Sequence, residues 1–177
     1  PTLLRLLESS DDELRMRAAQ ILALLPGFRA QSIPALLKRL GDPSPIVSQG
    51  VYDAIEKLIA NPDARLQNFT LSDDSFAAIL LALQTTLPNN RAVIEKLLVE
   101  VQLPEGRPAE QLLELTRSAD PDLRERAIRL IALKTPSGEP LPPAVFEALY
   151  DPAYTVQLAA LKSMSLSDFQ ADEKLSA

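Results

Sequence analysis

The chain has 177 residues, a net charge of −6, and neither histidine nor cysteine. This length is enough for one domain with a sizeable core. Apolar residues make up 46% of the chain and aromatic residues only 5%, which favours helices packed through aliphatic side chains. Without histidine or cysteine, His-dependent triads, cysteine nucleophiles and the commonest zinc sites are excluded. The acidic balance argues against a nucleic-acid binder, which is usually basic.

Targeting signals are also missing from the sequence. No stretch reaches the roughly 18 to 20 apolar residues that span a bilayer, so no membrane insertion is expected. No basic start followed by an apolar run marks a signal peptide, unless one has been removed, and the cytoplasm is taken as the default location. The chain starts with Pro1 rather than Met, and we expect it to be one module of a larger chain without its native termini.

Two stretches of the sequence are nearly the same. DDELRMRAAQIL at 11–22 returns as DPDLRERAIRLI at 120–131, and Leu, Arg, Arg and Ala occupy the same offsets. Each string predicts a helix with apolar residues at a start position, four later and eight later, which is one helical face. Three other stretches have this pattern. The five sets are Leu14, Ala18 and Leu22; Val47, Val51 and Ile55; Val93, Leu97 and Val101; Leu123, Ala127 and Ile131; and Val156, Ala160 and Met164.

Another apolar helix precedes each of these five, so the chain reads as five helical pairs. The predicted repeats are 1–27, 32–61, 73–102, 108–135 and 141–165, in a single domain at 1–165; residues 166–177 are a polar tail or the start of a further repeat. Pro43, Pro45, Pro121 and Pro152 mark helix starts, since proline suits the first turn of a helix. Two linkers, 61–75 and 134–143, are either spacers or binding loops, and the first is expected to hold a short helical turn.

The pattern L…DPxLRxRAxxxL, in helical pairs of roughly 30 to 35 residues, resembles the HEAT repeat. It is most similar to the compact bacterial HEAT-like variety, which also occurs in phycobilisome lyase subunits. The resemblance covers about residues 1–165. It implies an all-α, right-handed α-solenoid of about five helical hairpins, in which neighbouring pairs bury a continuous core.

Many members of this family carry a ladder of Asp–Arg pairs between repeats. The family aspartate fits four positions here, Asp11, Asp42, Asp120 and Asp151. The family arginine fits only Arg15 and Arg124, because Ser48, Ile94 and Gln157 stand in the other copies. The resemblance therefore implies an interrupted ladder.

Carboxylate pairs are the remaining candidates for chemistry. Asp11 to Glu13, Asp73 with Asp74, and Asp120 with Asp122 lie at predicted helix starts, where negative charge is favoured and aspartate caps N–H groups. Capping is therefore preferred over catalysis or cation binding. No phosphate-cradling GxxxxGK[ST] or GxGxxG motif is present, and the tyrosines are read as packing or surface residues. We expect no catalytic residue, no metal and no cofactor.

The resemblance implies that second helices line a concave surface. The positions three and six after each helix start lie off the apolar stripe and hold five cationic side chains against one anionic. From these positions we predict partner-binding residues for an acidic segment of another protein: Arg17, Gln20, Asp53, Lys96, Arg126, Arg129 and Lys162. The alternative is an ordinary solvated face, because Glu13, Asp122 and Glu125 each precede one of these arginines by four.

The sequence therefore predicts a non-catalytic protein–protein interaction scaffold that binds a partner on its concave face. Two alternatives stay open: a HEAT-like subunit of a bilin lyase-type enzyme, and a structural spacer domain. A DNA glycosylase built from similar repeats is disfavoured, since such an enzyme would be basic with aromatic residues at its site.

Overall fold

The computed structural model describes residues 2–25, 29–61, 66–104, 108–136 and 138–175. These residues form α-helices joined by short turns, and no β-strand occurs among them. The helices are α1 (Thr2–Leu6), α2 (Asp12–Leu24), α3 (Arg29–Leu37), α4 (Pro45–Ala60), α5 (Asp73–Thr85), α6 (Pro88–Glu100), α7 (Pro108–Leu115), α8 (Pro121–Lys134), α9 (Pro143–Glu147) and α10 (Tyr154–Leu175). The predicted all-α helical-repeat fold is confirmed.

Residues 1–104 form one compact unit of three helical pairs, α1 with α2, α3 with α4, and α5 with α6. The second helices pack side by side, α2 along α4 and α4 along α6. Their buried faces and those of the first helices make the core of this unit. Its largest fully buried side chains include Tyr52, Phe76, Leu36, Ile55 and Ile94.

Residues 105–177 form a second compact unit, built from α7 with α8 and α9 with α10. The second helices again pack on each other, α8 along α10. Buried residues of this core include Leu112, Leu123, Ala127, Val145 and Val156. The segment 166–175, predicted as a polar tail or the start of a repeat, continues α10. Since the chain divides into two units, the single-domain organisation stays a prediction.

Proline opens several helices, in keeping with its fixed φ and missing N–H. Pro45 and Pro121 begin α4 and α8 as predicted, whereas Pro43 and Pro152 lie two residues before a helix. One proline contradicts the expectation that helix interiors lack proline. Because α3 starts at Arg29, earlier than the predicted repeat, Pro34 lies inside it.

Three positions of the predicted apolar stripes are not fully buried, and one of them is Met164, which is half-buried. Leu14 was placed in the core but is exposed, since within the described residues no earlier helical pair covers this side of α2. In the third copy Val93 is only half-buried, whereas Ile94 and Leu98 are buried. The buried face of α6 therefore keeps Leu97 and Val101 from the predicted stripe and adds Ile94 and Leu98.

Small residues let the second helices approach closely. Gly50 and Ala159 were expected off the apolar stripe, but both are buried, in α4 and α10. A Cβ at Gly50 would lie 2.7 Å from Cγ of Met16 on α2. The side chain of Met16 therefore occupies the space that a side chain at position 50 would need.

The linker 61–75 holds the predicted short helical turn, a 3₁₀ helix at Leu66–Asn68. After it, the chain is fastened to the end of α6: the N–H of Leu71 donates to the carbonyl of Gln102, and the N–H of Gln102 donates to Phe69, both at 2.9 Å. The side chains of Leu66 and Leu71 are buried. These contacts fix the part of the linker that follows residue 65 on the first unit.

Candidate partner-binding surface

The turn between α1 and α2 is held by a hydrogen-bond network centred on Arg15. Its Nε and Nη2 donate to the two carboxylate oxygens of Asp42, both at 3.0 Å, across 27 residues to the next repeat. Nη1 donates to the carbonyl of Ser9 at 2.7 Å, and Nη2 also reaches Asp12. Asp42 additionally accepts the N–H of Ser44. One arginine thus ties a helix start to the following repeat.

The second unit repeats this network 109 residues later. Arg124 donates from Nε and Nη2 to Asp151, at 2.7 and 2.8 Å, and from Nη1 to the carbonyl of Ser118 at 2.8 Å. Asp151 accepts the N–H of Ala153, as Asp42 accepts that of Ser44. The strings at 11–22 and 120–131 therefore resemble each other because they build the same bidentate pair, here called the Arg–Asp rung.

Where the family arginine is replaced, no Arg–Asp rung forms in the described residues, so the ladder is interrupted as predicted. Two of the replacing side chains make hydrogen bonds within their own repeat instead. The hydroxyl of Ser48 donates to the carbonyl of Leu40 at 3.1 Å, and the amide of Gln157 donates to the carbonyl of Asp151 at 2.7 Å. Both side chains bond the turn of their own repeat, and neither forms a rung to the following repeat in the described residues.

The rungs perturb the pKa values of their carboxylates. Burial by itself would raise the pKa of Asp42, but the hydrogen bonds from Arg15 and Ser44 and the charges of Arg15 and Arg39 outweigh it and lower the pKa below its ordinary value. The hydrogen bond from Arg124 lowers the pKa of Asp151 against the smaller effect of burial. Both rungs are therefore ionised at neutral pH and act structurally.

The predicted partner-binding residues of the first unit lie on α2, α4 and α6. The side chains of Arg17 and Lys96 are 64% and 62% exposed. Arg17 pairs with Glu13 at 2.8 Å, and Lys96 lies 3.9 Å from Glu56 on the neighbouring second helix.

The polar members of this set are less exposed than the two cations. Gln20 and Asp53 are half-buried. Asp53 accepts a hydrogen bond from Gln49 at 2.9 Å, within α4. Among the predicted binding residues of the first unit, the exposed cations are therefore Arg17 and Lys96.

The predicted residues of the second unit lie on α8 and α10. Arg126 contradicts the expectation of an exposed cation, because its side chain is only 13% exposed and lies against Asp122 at 3.0 Å. Arg129 is more open and pairs with Glu125 at 2.6 Å, while Lys162 is exposed. The pairing expected from the i, i+4 spacing is present for all three arginines, Arg17 included.

Sequence reasoning missed the apolar part of this surface. Ile21 and Leu24 on α2 are exposed, and each follows a predicted binding residue by four, Ile21 after Arg17 and Leu24 after Gln20. Residues four apart share a helix face. A helical projection centred on Arg17 places Ile21 and Leu24 on the face of the predicted binding residues. The predicted apolar stripe passes through Leu22, on a different face, and does not include them.

The described residues contain neither a cluster of potential metal ligands nor a helix that could span a membrane. No three His, Cys, Asp or Glu side chains gather there as a metal site. None of the helices in the described part combines the length and apolar character needed to cross a bilayer.

Comparison with known proteins agrees with this geometry. A family model described as HEAT repeats matches residues 1–84. Residues 1–84 are therefore similar to HEAT repeats. The predicted resemblance is confirmed over this part of the chain, which holds both partners of the first Arg–Asp rung. No curated protein sequence matches the chain.

Solved structures extend the likeness of the HEAT repeats to the whole helical fold. An engineered protein is 18% identical, with 92% of this chain and 76% of that chain covered and a TM-score of 0.51. A designed armadillo repeat protein in complex with the peptide (KR)4 is 16% identical, with 93% and 80% covered and a TM-score of 0.55. At such identities the likeness concerns the fold, and the fold is a helical repeat.

Proposed function

We propose that the chain is a non-catalytic scaffold that binds a segment of another protein on the surface of its second helices. The helical-repeat fold supports a protein-interaction role, and a structural relative of similar fold is complexed with a peptide. The finer assignment, to a concave surface and an acidic partner segment, rests on the side chains of α2, α4 and α6.

The exposure of Arg17 and Lys96 carries this proposal. Their partners Glu13 and Glu56 are also exposed, and exposed ion pairs contribute at most about 1 kcal/mol, so a carboxylate of a partner can replace them. Ile21 and Leu24 add apolar area on α2. The best-fitting occupant is therefore an acidic segment with interspersed aliphatic residues.

In the second unit, Arg129 and Lys162 are the corresponding contacts. Arg126 instead positions Asp122 and contributes little accessible charge, since most of its side chain is covered. Gln20 and Asp53, both half-buried, would contribute hydrogen bonds rather than charge.

The test uses labelled acidic peptides containing leucine, with a neutral peptide of the same length for comparison, and measures fluorescence anisotropy at low and moderate salt. Arg17→Glu with Lys96→Glu should weaken binding of the acidic peptide by about tenfold or more, because each reversal also repels the peptide. Moderate salt should weaken binding by the parent chain, since the contacts are exposed.

The matched control is Lys38→Glu, which reverses an equally exposed and paired cation beyond the end of α3. It should leave peptide binding unchanged. Equal binding by the double variant and the parent chain would contradict the proposed surface. No binding of any peptide would favour a spacer domain.

A further inference from the structure

The second unit exposes three aromatic rings within nine residues. Phe146, Tyr150 and Tyr154 are 50%, 88% and 72% exposed. The other aromatic side chains that the structure describes, Tyr52, Phe69 and Phe76, are buried or half-buried. Clustered exposed apolar groups mark interaction sites, and aromatic residues are enriched at the centres of interfaces.

Local geometry brings an acidic group to these rings. α9 runs directly into a 3₁₀ helix at Ala148–Tyr150, so Phe146, Glu147 and Tyr150 lie within little more than one helical turn. Glu147 precedes Tyr150 by three, and in 3₁₀ geometry side chains three apart eclipse one another. The exposed carboxylate of Glu147 therefore lies on the same side as the ring of Tyr150.

The turn that carries Tyr154 is fixed by the second Arg–Asp rung. Asp151 is held by Arg124 and accepts the N–H of Ala153, one residue before Tyr154 begins α10. The rings at 150 and 154 thus flank a hydrogen-bonded turn and are presented by a fixed backbone. A preformed surface of this kind loses little conformational entropy on binding.

The chain segment that carries the three rings has charged residues of one sign only. Residues 135–161 contain no lysine or arginine, but they contain Glu139, Glu147 and Asp151. Arg124 reaches Asp151, whereas Glu139 and Glu147 are exposed. Aromatic faces and carboxylates both attract cations, the first through the ring quadrupole and the second through charge.

We propose that Phe146, Tyr150 and Tyr154, with Glu147, form an aromatic cluster that binds a basic segment of a protein partner. Lysine or arginine side chains of that segment lie over the rings, and Glu147 pairs with one of them. This surface lies on α9 and the start of α10 and takes the opposite charge to the second-helix surface. The inference does not depend on the function proposed above.

The probe is a labelled peptide of alternating lysine and arginine, titrated against the full chain. Tyr150→Ala with Tyr154→Ala should weaken its binding by about tenfold, as expected for the loss of two cation–π contacts. Tyr150→Phe should bind like the parent chain, because the ring face is kept and only the hydroxyl is lost. The chain has no tryptophan, so quenching of tyrosine emission gives a second readout.

Two controls separate this cluster from general attraction to an acidic protein. Leu161→Ala removes a comparably exposed apolar side chain from α10 and should leave binding unchanged. Glu147→Gln should weaken binding more than Glu100→Gln, which removes an exposed carboxylate on α6. Equal weakening by both charge variants, unchanged binding by the double tyrosine variant, or no binding at low salt would overturn the proposal.

Discussion

At position 50 the packing of two helices decides the residue type. Glycine inside a helix is unfavourable by about 1 kcal/mol relative to alanine, so α4 forms in spite of Gly50. The compensation is the close approach of α2, where Met16 occupies the space that a side chain would need. Helix propensity therefore disfavours glycine at position 50, whereas packing favours it. Mutation can separate the two effects.

Gly50→Ala should destabilise the parent chain by about 1 kcal/mol, because overpacking against Met16 exceeds the gain in helix propensity. In a Met16→Ala background the same change should stabilise by up to about 1 kcal/mol, since the clash is gone. Urea unfolding of the four proteins measures both effects. Equal effects of Gly50→Ala in the two backgrounds would exclude the contact with Met16 as the cause.

The Arg–Asp rung of the first unit should make stability depend on pH. Because the pKa of Asp42 is lowered in the folded chain, its contribution is present above the ordinary carboxylate pKa of about 4 and is lost as pH falls toward the folded value. Asp42→Asn should lower the melting temperature at pH 7 on the order of 5 °C, and the difference should shrink near pH 3.

Asp53→Asn is the matched control, since Asp53 lies on α4 and bonds only within its helix through Gln49 among the contacts described above. It should change the melting temperature little at either pH. A difference between Asp42→Asn and the parent chain that stays constant from pH 7 to pH 3 would mean that ionisation of Asp42 does not stabilise the fold.

Sequence patterns predict contacts between individual side chains only when the two residues are close in the chain. The pairs of Arg17, Arg126 and Arg129 followed from their i, i+4 spacing. The contact between Lys96 and Glu56 did not, because it depends on how two second helices are stacked. The same holds for the burial of Arg126, whose surroundings come from more than its own helix.

Helix starts differ in how their N–H groups are satisfied, and this difference is measurable. The carboxylate of Asp11 accepts the N–H of Leu14 at 3.2 Å, whereas Ser44 makes no side-chain capping bond. Asp11→Ala should therefore destabilise the first unit by about 1 kcal/mol, and Ser44→Ala by much less. Chemical unfolding followed by circular dichroism provides the comparison. Similar losses for both variants would show that capping is not what Asp11 contributes.

Element existence was predictable because every helix carries its own apolar periodicity and boundary residues. Pro45 and Pro121 located two helix starts. The face that each helix buries was less predictable. Leu14 and Val93 were misassigned because periodicity identifies a stripe but not the neighbour that covers it.

The division of the chain into two compact units predicts that the first can fold alone. Residues 1–104 contain three helical pairs with their own buried core, which is the requirement for an independent domain. A fragment of these residues should be helical and unfold cooperatively, and Asp42→Ala should lower its midpoint. Helicity without a cooperative transition would show that the first unit needs the rest of the chain.

The repeated architecture could be read from the sequence because each helical pair meets similar surroundings, so that its residues recur. The candidate surfaces could not be read as completely. The charges along one helix face predicted cations on the second helices, but only some of these side chains are exposed in the structure. The aromatic cluster has no repeated counterpart, and its exposure follows from the turn between α9 and α10 rather than from any periodic pattern.

The Arg–Asp rungs also constrain how the length of the chain can vary in evolution. Each rung joins residues 27 apart, and the two repeats that it connects have helix starts 33 residues apart in both units. Of the unbridged neighbours, α4 and α6 start 43 residues apart, whereas α6 and α8 start 33 apart. An insertion between bridged repeats would move the aspartate away from its arginine, whereas the linker at 61–75 can change length without breaking a rung. Homologous chains should therefore concentrate their insertions and deletions at the unbridged junctions.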